Sequence, residues 1–258
     1  MSDAAAVSAP SAAVVWHDLE CGSYRADLPL WLELAQASDG PILDVGAGSG
    51  RVALRLARAG HAVIALDRDR ELLDALAARA EGLDLHGVCA DARDFELPER
   101  ELALCVAPMQ TLQLLGGSEQ RSAFLRAARA HLRRGGLLAC AIVTALESYD
   151  ASAAAAPRPD VTEVAGVRYL SHPVSVLVQR ERIVIERVRE MIAVGAARSK
   201  PAAEQPRAER ERSVVELDRV SVRQLEREAR AAGLRPEPAR QIAPTDDHVG
   251  SEVVMLRV

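Results

Sequence analysis

The stretch ILDVGAGSGRVALRLARAGHAVIALD, Ile42 to Asp67, sets three glycines, Gly46, Gly48 and Gly50, at alternate positions directly after an apolar run. A short continuous apolar run that ends in glycine reads as a strand buried on both faces. GRVALRLARAG, with Val52, Leu54 and Leu56 among arginines and Gly60 as its stop, reads as a helix of about three turns. HAVIALD reads as a second buried strand. A strand, a glycine turn, a helix and another strand make a βαβ unit. Such units call for a parallel sheet with helices on both faces.

The alternation continues to about residue 143. RELLDALAARAEG places Leu72, Leu73, Leu76 and Ala77 on one helical face. LDLHGVCAD, ELALCVAP and LLACAIV read as strands. Between the last two, SEQRSAFLRAARAHLRRGG reads as a helix with Ser118 as N-cap and Gly135 as stop. Residues 150–160 read as a loop by their Ala and Pro content. VRYLSHPVSVLV, RIVIERVREMIAV and RSVVELDRV follow as strands rich in Val and Ile. The polar, low-complexity stretch 195–212 is expected to be a mobile loop. SVRQLEREARAAGL returns to helix between Ser221 and Gly233, and LRPEPARQIA and SEVVMLRV are the last strands.

The expected fold class is therefore α/β, with a doubly wound, mostly parallel seven-stranded sheet. Residues 16–145 and 220–258 would form its ligand-binding domain. The β-rich segment 160–219 would be an insertion serving as lid, substrate or dimer segment. MSDAAAVSAPSAAVV, residues 1–15, lacks a basic n-region and a long apolar core, and is expected to be a disordered lead rather than a signal peptide.

Composition narrows the function classes. The 258 residues suit one large domain or a domain with an insertion. Aromatics are only 3%, so the core must be built from Ala, Leu and Val. No run of about 18 apolar residues occurs, and no membrane span is expected. The net charge of −5 gives no general basic footprint for nucleic acid. The four cysteines, Cys21, Cys89, Cys105 and Cys140, form no C-x-x-C pair. They read as free thiols of a cytoplasmic protein, with no zinc site.

Glycines after a strand let a ligand approach the backbone closely, and the following helix aims its free N–H groups at the same place. In a parallel sheet that place is the carboxyl edge. Three features narrow the ligand. The spacing is G-x-G-x-G, and Arg51 stands where the third glycine of a pyrophosphate-binding G-x-G-x-x-G would fall. Asp44, two residues before Gly46, would repel a phosphate but suits a cationic ligand. Asp67 ends the second strand, where a carboxylate accepts ribose hydroxyls. A ribose, a positive charge and no phosphate describe S-adenosyl-L-methionine, with S-adenosyl-L-homocysteine as product. Asp44, Gly46, Ala47, Gly48 and Gly50 would hold the methionine part, and Asp67 with Arg68 the ribose side. Asp67 can also cap the helix after it.

The same stretch resembles the first two motifs of the class I S-adenosylmethionine-dependent methyltransferases. CADARDF (89–95) resembles their third motif, which implies that Asp91 reaches the adenine amino group and Ala92 supplies the neighbouring N–H. CVAPMQTLQLL (105–115) resembles the fourth strand and the loop beside the transferable methyl, and adds Ala107 to the cofactor set. HLRRGGLLACAIV resembles the L-x-P-G-G turn and fifth strand, with Arg134 in place of proline. SYRADLPLWLELA resembles the N-terminal helix that caps the cofactor, which implies that Tyr24 closes over it, with Trp31 as a core anchor. The resemblance covers residues 17–145 well and 212–258 more loosely.

Methyl transfer from an activated donor needs positioning and water exclusion more than a triad or a metal. An amine acceptor needs at most a weak base, a hydroxyl a general base. APMQ (107–110) lacks the polar acceptor and stacking aromatic of the N/D-P-P-[YF] sequences in nucleic-acid amino methyltransferases. Gln110 would sit near the methyl. His17, His172 and His248 are candidate bases, the last beside Asp246 and Asp247. His172, with Tyr169, would line the substrate side. His61, His86 and His131 read as structural or solvated.

The expected function is methyl transfer to N or O of a small-molecule acceptor, in the cytoplasm, by a monomer or homodimer without nucleic-acid or membrane partners. Gln110 and His172 are its candidate catalytic residues. The alternatives are an RNA or protein methyltransferase of the same fold and a non-catalytic S-adenosylmethionine-binding protein. A nicotinamide-dependent oxidoreductase is disfavoured by the glycine spacing and by Asp44.

Overall fold

A computed structural model describes residues 9–99, 101–152, 157–194, 209–246 and 248–258. Helices α1 (Ala12–Cys21) and α2 (Leu28–Gln36) precede β1 (Ile42–Val45). Then come α3 (Ala53–Arg58), β2 (Val63–Asp67), α4 (Arg70–Arg79) and β3 (Leu85–Cys89). β4 (Leu102–Ala107), a 3-10 turn (Thr111–Leu114), α5 (Ser118–His131) and β5 (Leu132–Ile142) follow. β6 (Tyr149–Asp150), β7 (Asp160–Val164), β8 (Val167–Val178), β9 (Arg182–Ala193) and β10 (Glu209–Asp218) build a separate sheet. α6 (Val222–Ala231), β11 (Arg235–Ile242) and β12 (Ser251–Arg257) complete the chain.

The main sheet has the seven strands that the sequence predicts, in the order β11-β12-β5-β4-β1-β2-β3. β3, β2, β1, β4 and β5 run parallel, and β12 and β11 are antiparallel additions. After β3 the chain crosses back to place β4 on the other side of β1. This reversal opens a crevice at the carboxyl ends of β1 and β4. Residues on β1 alternate between the two faces. Ile42 joins an apolar layer with Trp31, Leu56 and Leu76, and Leu43 joins one with Phe124, Leu125 and Leu225. Both faces are covered, so all four residues of β1 are buried, Asp44 among them.

The second sheet has the order β10-β9-β8-β6, with β7 also on β8, and its pairs are antiparallel. A register shift falls between Pro173 and Ser175 on β8. Proline has no N–H to give the ladder, and a bulge absorbs the loss.

Several local expectations need correction. The predicted disordered lead 1–15 overlaps α1, whose N-cap Ser11 accepts from the Val14 N–H and which buries Val14 and Val15. Residues 1–8 lie outside the described part. Ser118 is the first helical residue of α5, not its cap. The cap is Gly117, and its N–H goes to Asp218 Oδ2. α5 stops at His131 because Leu132 passes straight into β5, so Gly135 lies inside that strand. Asp69, not Asp67, caps α4, accepting from the Glu71 and Leu72 N–H groups. Of the predicted mobile loop 195–212, residues Glu209–Arg212 pair with Met191–Val188 in the second sheet. Residues 195–208 lie outside the described part.

Candidate active site

A cavity of about 400 Å³ lies at the carboxyl ends of β1, β2, β3 and β4. Each strand ends in a turn that contributes to it: Asp44 to Ala47, Asp67 to Asp69, Ala90 to Arg93 and Pro108 to Thr111. His17 and Cys21 of α1 close one side.

The glycine turn is shaped by its neighbours. Gly46 has φ +72°, and a Cβ there would meet the Thr111 side chain at 2.6 Å. Gly48 has φ +54°, and a Cβ there would fall on the His17 ring. L side chains rarely adopt this backbone, so both position and space demand glycine. Asp67 ties the turn down: Oδ2 accepts from the Gly48 N–H at 2.8 Å and Oδ1 from the Asp69 N–H at 2.9 Å. A carboxylate has about four lone-pair sites, so it retains acceptor capacity toward the cavity.

Asp44 is the electrostatic anomaly of the site. It is 1% exposed, and neither carboxylate oxygen meets a donor at full hydrogen-bond geometry, although the Ala53 backbone N–H faces it and lowers its pKa. Burial pushes its pKa up to about 7. The Arg51 guanidinium acts in the other direction, but it is committed elsewhere. It holds Asp27 through both nitrogens, at 2.6 and 2.7 Å, and donates to the Tyr24 carbonyl at 2.9 Å. Asp27 also accepts from the Trp31 indole at 2.8 Å. Asp91 is the opposite case. The Arg93 side chain and backbone N–H donate to it at 2.8 and 2.9 Å, and Arg93 draws its pKa down to about 2.

α1 is wedged between the glycine turn and the second sheet. On one face, Ser49 Oγ donates to Asp18 and lies 3.0 Å from His17 Nδ1. A hydroxyl has one proton. His17 Nδ1 must therefore carry the hydrogen it shares with Ser49. Arg79 completes this corner, donating to Asp18 at 2.6 and 3.1 Å. On the other face, Glu20 accepts from Ser171 at 2.6 Å and from Arg189 at 2.8 Å through each oxygen. Trp16 meets the edge of Tyr169 at 4.9 Å, and Arg189 stacks over the Trp16 ring at 5.4 Å.

Residues 42–136 match the family described as methyltransferase domain. Over 112 residues the chain is 32% identical to a cypemycin N-terminal methyltransferase from a Streptomyces species, a match spanning 43% of this chain and 45% of that relative. The chain thus spans less than half the length of the curated relative it matches. The sugar N-methyltransferase KedS8 from Streptoalloteichus aligns over 100% of this chain and 97% of its own, with a TM-score of 0.69 and 16% identity. CalS10, an amino pentose methyltransferase from Micromonospora echinaspora solved with S-adenosylmethionine bound, aligns over 95% and 97%, with a TM-score of 0.66 and 18% identity. At such identities the likeness is one of fold. Residues 42–136 thus carry a methyltransferase domain.

The cavity of this methyltransferase domain is lined by Asp44, Gly46, Ala47, Asp67, Arg68, Asp91, Ala92 and Gln110, all singled out in the sequence. Gly48 and Gly50 do not line it and act by shaping the turn. Ala107 is fully buried in the apolar layer with Leu43, not at the cavity wall. Tyr24 is buried behind Arg51, its ring 5.3 Å from that guanidinium and 4.9 Å from His248. Its reach toward the cavity is therefore through Arg51. His172 sits on β8 opposite Val188 and is not part of the cavity wall. His248 stands behind Tyr24, Asp246 lies in the adjoining turn, and Asp247 is outside the described part.

Sequence reasoning missed Cys21, Arg93, Thr111, Leu114 and Leu115 as cavity-lining residues. Thr111 and the two leucines lie within the quoted CVAPMQTLQLL, which was the available signal. Burial pushes the Cys21 thiol up to about 11, away from the thiolate form that a nucleophile uses. His131 is structural, its Nε2 accepting from the Leu97 N–H at 3.0 Å. All four cysteines are free thiols. Among the described residues no side-chain group could hold a metal ion, and no helix is long and apolar enough to cross a membrane.

The residues fit S-adenosylmethionine. A buried carboxylate without a full hydrogen bond, beside a glycine turn with no room for side chains, is completed by a ligand bearing positive charge.

Proposed function

We propose that this chain is an S-adenosylmethionine-dependent methyltransferase that methylates an amine nitrogen of a small-molecule acceptor. The observation that carries the cofactor is Asp44, which lies at the wall of the cavity with neither oxygen in a full hydrogen bond. When bound, the cofactor supplies a methyl group already activated on a sulfonium. Asp44 would neutralise positive charge on its methionine part, with the backbone of Gly46 and Ala47 in close approach. Asp67 would accept from the ribose hydroxyls. Asp91 and Ala92 would meet the adenine, Asp91 sharing its oxygens with Arg93.

Gln110 is held through its backbone, its carbonyl accepting from Gln113 at 2.8 Å and Leu114 at 3.1 Å. Its side chain makes no hydrogen bond within the described residues and is free to orient an acceptor. Met109, Leu114, Leu115 and Leu72 supply an apolar wall that excludes water. A neutral amine attacks without a strong base. That agrees with a cavity whose lining holds a histidine committed through Nδ1 to Ser49. The names of the relatives point the same way, since an N-terminal amine, an amino pentose and a sugar nitrogen are all nitrogens. Free thiols suit a cytoplasmic enzyme.

The test is calorimetric titration with S-adenosylmethionine and S-adenosylhomocysteine, followed by an acceptor screen over amino sugars, peptides with free N-termini and matched hydroxy compounds. Saturable binding and mass gain on the amines support the reading. Transfer only to hydroxy compounds would move the acceptor to oxygen, with His17 as the base to examine. No binding of either cofactor form would overturn the reading.

A further inference from the structure

Behind the glycine turn, on the far side of Ser49 and Arg51 from the main cavity, lies a second pocket of about 370 Å³. Its wall gathers arginines from separate elements: Arg25 from the connection between α1 and α2, Arg55 and Arg58 from α3, and Arg79 from the end of α4. Arg79 is matched by Asp18. Arg25, Arg55 and Arg58 have neither a carboxylate partner nor a side-chain hydrogen bond among the described residues. All three are exposed, and α3 (ALRLAR) contains no acid to balance its own arginines.

In a chain of net charge −5 this is a local excess of positive charge. Helix ends explain part of it. The C-termini of α3 and α4 each favour a cation, with about half a charge per end. That is less than the guanidinium groups bring, and it gives no reason for Arg25 to join them. Like charges brought together repel unless an anion sits between them. The guanidinium fork matches the oxygens of a phosphate in two-point contacts.

We propose that this pocket is a second ligand site, for a small phosphate-bearing anion of pyrophosphate or nucleotide size. The volume suits such a ligand, since small-molecule sites begin at about 300 Å³. The site is distinct from the main cavity in its chemistry. There Asp44 disfavours phosphate, while here arginines line the wall and the acid present is already paired. The two are neighbours through His17 and Arg51, which line both. An anion drawn toward Arg79 would compete with Asp18 and loosen the corner in which Ser49 and His17 are fixed. Occupancy of the second site is therefore felt at the glycine turn.

The probe is sodium pyrophosphate, titrated calorimetrically into the full chain at low and at moderate salt. The wild type is expected to bind at one saturable site, more weakly as salt screens the charges. Arg55→Gln with Arg58→Gln should weaken binding by about tenfold or more, with an unchanged melting temperature showing that the fold is intact. These two residues line this pocket and not the main cavity, so the loss locates the anion. Arg210→Gln with Arg212→Gln, two exposed arginines on β10, should leave binding as it is. No saturable binding by the wild type, unchanged binding by the α3 variant, or equal loss in the β10 variant would overturn the proposal. None of these outcomes depends on whether S-adenosylmethionine binds.

Discussion

The carboxylate of Asp67 at the end of β2 accepts a hydrogen bond from the backbone N–H of Gly48 at 2.8 Å, 19 residues back in the chain. One acid thus fixes the turn that ends β1 and, through Oδ1, the entry to α4. The cradle is held by the protein's own groups, because the acceptor of this bond is oriented by a strand of the same sheet.

Asp67→Ala removes both acceptors. We expect a stability loss of about 1–3 kcal/mol, the cost of leaving partly buried N–H groups unpaired. We also expect S-adenosylhomocysteine binding to weaken by more than that loss alone explains. Asp67→Asn keeps one acceptor and turns an NH2 on the other donor, so it should recover only part of the stability and not the affinity. Thermal melting with calorimetric titration separates the two effects. An Asp67→Ala variant that melts and binds like the wild type would refute both roles.

Asp44 gives a pH signature. Its ordinary pKa of 3.8 is raised by burial to about 7 in the folded chain. Between these values the unfolded chain has released the proton and the folded chain has not, so stability falls as pH rises across that window. The fall amounts to about 4 kcal/mol once both states are ionised. Asp44→Asn removes the titrating group. Its melting temperature should be flatter between pH 4 and 7, and higher than the wild type at pH 8, while cofactor affinity drops. A wild-type profile that rises across this window would contradict the assignment of Asp44 as the unpaired buried acid.

Much of this site was legible because its determinants are local. The glycines, Asp44, Asp67, Asp91 and APMQ each lie at the end of an apolar run, and a parallel sheet brings the ends of such runs together. What was not legible is set by tertiary partners. The segment AAVVWHDLEC is apolar without a clear stripe, because α1 packs against the glycine turn on one side and the second sheet on the other. Arg51 was visible as the residue displacing a third glycine. Its partner Asp27 lies 24 residues upstream, and no spacing rule joins them. Ala107 follows its strand into the core because the chain turns toward the cavity only at Pro108. Asp67 and Asp69 are two acids beside one helix start, and only the backbone decides which of them caps it.

Gly48 and His17 should be coupled. Gly48→Ala drives a methyl group into the His17 ring and strains a left-handed backbone, while His17→Ala removes only the ring. In the double variant the steric conflict is gone and the backbone strain remains. The cycle should therefore show a favourable coupling of about 1 kcal/mol or more, measured by denaturant unfolding. Strict additivity would mean that α1 does not pack on the turn.

Glu20 tests whether α1 links the second sheet to the cavity. Arg189, Ser171 and Arg187 surround its carboxylate. Burial alone would raise its pKa, but the hydrogen bonds from Arg189 and Ser171 prevail and lower it below 4.5. A lowered carboxylate pKa contributes stability above pH 4.5 that is lost as pH falls through the folded value. Glu20→Gln keeps the shape and removes the charge, leaving Glu211 at 3.4 Å as the remaining carboxylate beside Arg189 among the described residues. The pair is partly open to solvent, so a loss of about 1–2 kcal/mol is expected near neutral pH, shrinking in acid. Hydrogen exchange should quicken across residues 12–21. S-adenosylhomocysteine affinity should fall as well, although Glu20 does not line the cavity, because a loosened α1 no longer holds His17 against Gly48. If exchange in α1 is unchanged while stability falls, the second sheet and the cofactor cavity are independent, and α1 is anchored by the glycine turn alone.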